Sequence, residues 1–549
     1  MPASPVPAAL APGRLGALVR PSLSDWLFAA LMAWLFLAGS GWSALLADGD
    51  TGWHIRAGEF ILNGGRLPAS DPFSFTRMGQ PWFAWEWLSD VLFAVCHRLA
   101  GLKGVVLLAG TVVAGYLTLL TRHMAWRGAN ALVALAFCLL GAGASGIHYL
   151  ARPHLFTLLF LTVALWMVDA DRRRPSRAVW LLAPLTALWV NLHGGFVALP
   201  LSLALLSAGT AIESVLEKRS WRAAWMSARR MLALLGACTA ATLANPYGIG
   251  LHRHLAQYLK SDWIRQAVDE FQSPKFRGES ALQFEILLFA GLILAGLLLR
   301  RRQVADALLV IGWAHAALVS VRHVPVFVVA ACPILAAESS RLWAGWAERR
   351  PPRSVARILD GVAADFASGF RRSSLWSAAL VLALVLVGAP VRWPLDFPAV
   401  KFPVELVGRE RAKLEGARVF TSDQWGDYLL YRFYPRQRAF IDGRSDFYGP
   451  ELGKLYLRVA YGRQDWPSTL QRYGVSAVLA PLEWPLAGIL RQDPGWRLVE
   501  EDPLAALFER VVPGPAGRPP EGAATTKEFP ASRRITSRRP GTASPGGSE

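Results

Sequence analysis

Apolar runs of membrane length recur along the chain between residues 26 and 391. A hydrocarbon core about 30 Å thick needs roughly 17 to 25 residues of helix, and residues 26–46 meet that length. Further runs near 104–121, 131–149, 153–169, 178–191, 194–212, 231–244, 282–299, 304–320, 323–340 and 375–391 bring the candidate spans to eleven. The runs at 178 and 231 are short enough for a re-entrant hairpin or a half-helix, so ten or eleven transmembrane helices are expected. The first run is longer than a signal-peptide apolar core of roughly 7 to 15 residues, and no small-x-small cleavage pattern follows it before Asp48. It reads as an uncleaved anchor with residues 1–25 in the cytoplasm.

Polar positions between the runs test that topology, because cytoplasmic loops collect Lys and Arg. Every second loop is basic: Arg122 and Arg127; Arg172, Arg173, Arg174 and Arg177; Lys218, Arg219, Arg222, Arg229 and Arg230; Arg300, Arg301 and Arg302; then the Arg-rich stretch 341–372. The alternate segments then face outward: residues 47–103, 150–153, 191–195, 245–281 and 321–323. Residues 26–391 form the transmembrane domain on this reading, with 47–103 as a large first outer loop. Beyond it, residues 392–513 alternate strand and helix patterns and predict an extracytoplasmic α/β domain with a mainly parallel sheet. Its strands are expected at 418–421, 439–442, 475–480 and 506–510, and its helices at 403–415, 424–433, 451–461 and 466–473. Residues 514–549, rich in Pro, Gly, Ser, Thr and Arg, read as a disordered tail.

Composition agrees. Hydrophobic residues make up 53% and charged residues 18% of the 549, with 23 Trp and a mean hydropathy of +0.30; a soluble domain carries about 25% charge, so a soluble enzyme is excluded. The net charge of +18 lies in loop clusters rather than on one solvated face, which argues against a nucleic-acid partner. Three of the four cysteines fall inside apolar runs, so neither a disulfide framework nor a CxxC metal site is available. No GxxxxGK[ST] or strand-linked GxGxxG occurs, which disfavours nucleotide-driven transport.

The unusual polar residues cluster on the outer side. Asp48-Gly49-Asp50 follows the first span directly, and two carboxylates at that spacing can share a divalent cation, or one can take a proton from an acceptor hydroxyl; acidic residues also cap helices. Residues 79–94, with Trp82, Trp85, Trp87, Glu86 and Asp90, read as an amphipathic interfacial helix whose aromatics serve as anchors or as stacking platforms, with Glu86 and Asp90 on one face. Eight of the ten histidines, at 54, 97, 148, 154, 193, 252, 254 and 323, lie on the outer side. The outer turns carry Arg152, Asn191, His193, Arg322 and His323. Arg152 and Arg322 suit a lipid phosphate, though arginines at helix ends also snorkel. His252 and His254 lack the spacing and the carboxylate of a zinc site. In the α/β domain, Asp442, Arg444 and Asp446 follow an expected strand, where such sheets bind ligands, or form a turn staple; Asp423 and Asp427 follow another.

With Asp48-Gly49-Asp50 at the end of the first span, a long aromatic first outer loop and basic outer turns, residues 25–340 resemble the GT-C class of polytopic membrane glycosyltransferases. The resemblance is to the bacterial branch related to protein O-mannosyltransferases and to transferases that modify lipopolysaccharide. Gly52-Trp53-His54-Ile55 and Ala84-Trp85-Glu86-Trp87-Leu88 add to it. The resemblance implies inverting transfer of a sugar from a polyprenyl-phosphate carrier to a glycan, lipid or protein acceptor at the outer face of the bacterial inner membrane. It implies Asp50 or Asp48 as catalytic base and Arg152, Arg322, His323 and His193 toward the donor phosphate. Trp53, His54, Glu86 and Asn191 are the candidates for substrate contact. The chain departs from the protein O-mannosyltransferases in lacking an adjacent Asp-Glu pair. No cofactor is required by this chemistry; a divalent cation is left open. Two competing readings are a transporter or flippase, in which Asp50, His193 and Arg322 line a proton or lipid path, and a degenerate GT-C scaffold for envelope glycan assembly.

Overall fold

The computed structural model describes residues 19–511 except 279, 371, 373 and 387–391. The expected tail 514–549, most of the segment 1–25 and the end of the run 375–391 therefore lie outside the described residues. Every apolar run is helical where described. Six helical segments are long and apolar enough to cross a membrane: Trp87–Arg127, Ala131–His148, His154–Arg173, Gly194–Lys218, Ala281–Arg300 and Val321–Ala347. Leu23–Leu37, Arg177–Trp189, Val304–Val319 and Trp376–Leu386 are apolar but shorter. The eleventh, Trp221–Ala241, begins in what the charge pattern assigns to a loop and carries Arg222, Arg229 and Arg230 on its first half. Arg230 there pairs with Asp171 at 2.7 Å.

The first span ends early. Ser22 caps Leu23–Leu37 by accepting from the Asp25 N–H, and the helix stops where Gly39 and Gly41 take left-handed φ of 55° and 56°, a conformation that favours glycine. A short 3₁₀ turn, Gly41–Ala44, completes the approach to Asp48. The interfacial helix is also shorter than its pattern suggests. Residues 79–86 are irregular, and the helix starting at Trp87 continues to Arg127 through a break at Ala100 and Gly101. At the basic ends of the bundle, the arginines are paired as well as exposed: Arg127 meets Asp169 at 2.6 Å and also contacts Asp306, and Arg172 reaches Asp306 at 2.6 Å.

The α/β region contains one four-stranded sheet, β1 (Val419–Phe420), β2 (Ala477–Pro481), β3 (Trp496–Glu501) and β4 (Ala505–Arg510), in the order β1-β2-β4-β3. Only β1 and β2 are parallel; β4 pairs antiparallel with β2 and with β3. The mainly parallel sheet expected from the sequence is therefore corrected. Residues 439–442 are not a sheet strand. Ala439 instead makes a lone parallel bridge with Ser74 of the first outer loop, because its edge is claimed by that loop: Phe75 N–H donates to Ala439 O and Ala439 N–H to Phe73 O.

Helix Asp423–Phe433 packs against helix Asp50–Gly64, the start of the first outer loop. The approach depends on missing side chains. A Cβ on Gly49 would fall 2.2 Å from Gln424 O, and one on Gly52 would fall 2.7 Å from Asp427 O. Gly49 N–H donates to Gln424 Oε1 at 2.6 Å, and buried Arg444 reaches across to Asp71 at 2.9 Å. The helical and α/β regions thus form one compact unit up to Arg510. Overpacking such a contact costs about 1 to 3 kcal/mol, so Gly52→Val is expected to lower thermal stability in detergent by that amount.

Candidate active site

Three interhelical segments meet at one guanidinium. Asp48 Oδ1 accepts from the Asp50 N–H at 2.9 Å, which holds the start of helix Asp50–Gly64. The turn 150–153 is fastened to the same place, since Ala151 N–H donates to Leu45 O at 2.7 Å and Thr51 Oγ1 donates to Ala151 O at 3.0 Å. Arg152 is thereby aimed between Asp48 Oδ2 at 3.0 Å, Asp50 Oδ2 at 2.7 Å and Glu270 Oε1 at 2.7 Å. Glu270 comes from the 3₁₀ turn Asp269–Phe271 in the fourth outer segment. Nothing in its local pattern distinguishes it, and the sequence does not single it out.

This cluster lies in a cavity of about 820 Å³ whose wall includes Asp48, Asp50, Trp53, His54, Glu86 and Arg152. The α/β region closes its outer side with Asp423, Gly443, Asp446, Tyr456 and Trp484. A second, narrower cavity of about 160 Å³ continues between the helices, past Pro153, Leu158, Val197, Leu255 and Val326. His54, Trp85, Glu86, Arg152, His193, Tyr258, Glu270 and Arg322 border both. A polar chamber and an apolar slot therefore share a charged neck.

The neck is built around Glu86. His54 Nδ1 shares a hydrogen bond with Asp90 Oδ1 at 2.6 Å, and its Nε2 faces Glu86 at 3.9 Å. His193 Nδ1 accepts from the Gly195 N–H at 2.9 Å, which leaves the proton on Nε2, 3.5 Å from Glu86 Oε1. Arg322 lies over Phe271 at 4.4 Å, and no carboxylate among the described residues comes within 4.0 Å of it. His323 Nδ1 donates to Ala316 O at 3.2 Å and borders only the apolar slot. Asn191 does not join the site. Its amide donates to Ala187 O and Ala244 O and accepts from Trp87 Nε1, so it staples three segments and has no group left for substrate.

Charge states follow from burial. Burial pushes the Asp50 carboxyl up to about 8; Asp48, Glu270 and Asp423 push the same way while Arg152 pulls against them. Burial likewise pushes Glu86 up to about 8, with Arg152 and Arg322 opposing and Asp446 and Asp50 reinforcing. Glu270 behaves otherwise: burial would raise it, but Arg152 and Arg322 hold it below the usual carboxylate range. Burial keeps His54 and His193 well below the usual imidazole range, and the neighbouring arginines add to this. Burial alone would weaken the Arg152 cation, but Asp50, Glu270 and Asp48 keep it charged. Among the described residues, no group of three or more His, Cys, Asp or Glu converges as metal ligands. The Arg152 guanidinium stands between the two carboxylates that a divalent cation would bridge.

No family model matches the chain, and no curated protein matches it. Solved structures do. The oligosaccharyltransferase of Archaeoglobus fulgidus, tethered with an acceptor peptide through a disulfide bond, aligns with a TM-score of 0.50 at 14% identity, over 85% of this chain and 69% of that one. ArnT from Cupriavidus metallidurans aligns with TM-scores of 0.47 in the apo state, over 89% and 96% of the two chains at 14% identity, and 0.43 bound to undecaprenyl phosphate, over 90% and 98% at 15%. The likeness to the oligosaccharyltransferase shows the fold: the chain is an integral membrane protein that shares that architecture.

Removing one partner of a buried ion pair costs about 3 to 5 kcal/mol, and Arg152→Met leaves three carboxylates uncompensated. The loss is expected to be larger at pH 8 than at pH 6, because ionised carboxylates repel and protonated ones do not; thermal unfolding in detergent at the two pH values checks it.

Proposed function

We propose that the protein transfers a sugar from a polyprenyl-phosphate carrier to an acceptor hydroxyl at the outer face of the membrane, with inversion at the anomeric carbon. The observation that carries this reading is the junction at Arg322. A chamber of saccharide size, walled by Trp and carboxylates, opens through a cationic neck into an apolar slot between helices. A donor with a sugar, a phosphate and a lipid chain has the same three parts in the same order. In this assignment residues 1–25 are cytoplasmic, residues 26–391 form the membrane domain, and residues 392–513 form an α/β domain on the periplasmic side of the inner membrane.

The reaction balances within the site. The acceptor oxygen bonds to the anomeric carbon, the bond from that carbon to the phosphate oxygen breaks, and the acceptor proton passes to Asp50. A carboxylate whose proton affinity lies near neutral pH is suited to that task. The leaving polyprenyl phosphate takes the electron pair, and Arg322, which has no carboxylate within 4.0 Å among the described residues, stabilises the charge that develops there. His193 Nε2–H and His323 border the same phosphate position. Arg152 holds Asp48 and Asp50 in place more than it offers a free charge to the donor. Trp53, His54 and Glu86 line the sugar chamber. The acceptor is a glycan, lipid or protein hydroxyl.

In nanodiscs, the wild type is expected to release polyprenyl phosphate from at least one member of a panel of polyprenyl-phosphate sugars when a cell-derived acceptor extract is present. Asp50→Asn should lower turnover by roughly 10² to 10⁴-fold, the range of a lost general base, and Arg322→Ala by roughly 10²-fold as a lost charge stabiliser. Because the base works only when deprotonated, kcat should climb with pH and level off above about 8. No release from any donor by folded protein would turn the assignment toward a transporter or a scaffold.

A further inference from the structure

Asp50 has two oxygens in different surroundings. Oδ2 meets Arg152 at 2.7 Å, whereas Oδ1 is buried and finds no hydrogen-bond partner. It is pressed against the α/β region at Gly443. The point that a Cβ on Gly443 would occupy lies 1.8 Å from Asp50 Oδ1 and 3.1 Å from Asp427 Oδ2, so both carboxyl groups border one space kept open by the missing side chain. Asp427 comes from helix Asp423–Phe433 and is fully buried. Among the described residues its one hydrogen-bond donor is the Gly443 N–H, 3.2 and 3.1 Å from its two oxygens. The charged groups that act on it are carboxylates on every side: Asp50 from the first outer loop, Asp442 from the loop beside Gly443, and Asp423 from its own helix.

Two carboxyls buried side by side without a cation between them cannot both be ionised. We propose that Asp427 is a positioning residue that carries a proton and donates it in a hydrogen bond to Asp50 Oδ1, so that the α/β region is part of the transfer site. This rests on the assignment of Asp50 as base. The shared proton fixes the carboxylate plane of Asp50 and leaves Oδ2, beside Arg152, as the atom that receives the acceptor proton. Burial raises Asp427 well above the usual carboxylate range, and Asp50 adds to the shift, in keeping with a protonated partner. Gly443 permits the contact.

An amide at position 427 tests the hydrogen bond directly, because Asn can accept from the Gly443 N–H and donate to Asp50 but cannot ionise. Asp427→Asn is expected to keep kcat within about threefold of wild type, and Asp427→Ala to lower kcat by roughly 10²-fold with KM unchanged, the size of one lost oriented donor. If the Asn variant loses as much as the Ala variant, Asp427 acts as an anion and the proposal falls; if the Ala variant matches wild type, it also falls. An infrared pH titration of the full-length protein gives a readout that needs no turnover. At roughly pH 9.5, above the range in which Asp50 and Glu86 titrate, one component of the wild-type protonated-carboxyl absorption should be missing from Asp427→Asn, and an unchanged absorption in that variant would overturn the proposal. Absence of wild-type turnover on every donor would instead count against the assigned reaction and leave the infrared result to decide the shared proton.

Discussion

Arg152 is the interaction on which the half of the molecule that holds the chamber depends. Its guanidinium holds Asp48, Asp50 and Glu270 within 3.0 Å, and these come from two loops about 220 residues apart in the chain. One side chain thus closes the first outer loop, the turn 150–153 and the segment 245–281 around a single point. A buried ion pair adds little net stability over an apolar contact of the same shape, but leaving its members unpaired is costly. The cluster therefore acts chiefly as a geometric constraint. It also divides labour among the cations: with Arg152 committed to three carboxylates, Arg322 on its aromatic shelf is the one placed to meet an incoming anion.

A second constraint is close approach between backbones. Gly49, Gly52 and Gly443 each stand where a side chain would collide with the opposing segment, and together they bring helix Asp50–Gly64 and the α/β region into direct contact. The chamber is consequently a seam between two parts of the chain rather than a pocket within either. The first outer loop wraps the same seam from its other side, through the Ser74–Ala439 bridge and the Arg444–Asp71 pair. Arg444 is also tied to Asp442 and stacked among Phe73, Trp82 and Phe447. Its charge is spent on holding the loop that carries Gly443.

What was legible in the sequence follows from which forces act locally. Hydrophobic runs located the helices, six of them long and apolar enough to cross a membrane, because burial in lipid acts on contiguous segments. Asp48, Asp50, His193, Arg152 and Arg322 were legible because ionisable groups at membrane helix ends are costly and few. Helix ends were less legible: Leu23–Leu37 stops at glycines whose left-handed φ no hydropathy window registers. The strand pattern at 439–442 was real, but its partner is Ser74, more than 360 residues away in the chain, and pairing at that distance leaves no local mark. Glu270 was missed for the same reason, and Asp427, placed by the sequence only after an expected strand, was not tied to Asp50. Each is an ordinary acidic residue on a polar stretch until the fold sets it beside Arg152 or Asp50. Asn191 errs the other way, since a polar residue in an outer turn serves the backbone as readily as a ligand.

The distribution of polarity bears on the choice between an enzyme and a transporter. A transport path needs polar or ionisable groups at successive depths. Here the titratable residues fall into two sets at opposite helix ends, one around Arg152 and Glu86, the other around Arg127, Arg172, Asp169 and Asp306. His315, the histidine in the middle of an apolar helix, is exposed on the outside of the bundle rather than set along a path through it. The slot that leads inward from Arg322 passes Leu158, Val197, Leu255 and Val326, which suit a hydrocarbon chain, and its polar lining residues, among them His148, His154 and His323, stand at the helix ends beside the neck. Carboxyls poised near neutral pH occur on the chamber side of the neck, where a hydroxyl rather than a lipid tail would meet them. Under the proposed reaction, proton acceptors on one side of a cationic neck and an apolar slot on the other would separate the two ends of a lipid-linked donor, which is the division that group transfer at a membrane surface requires.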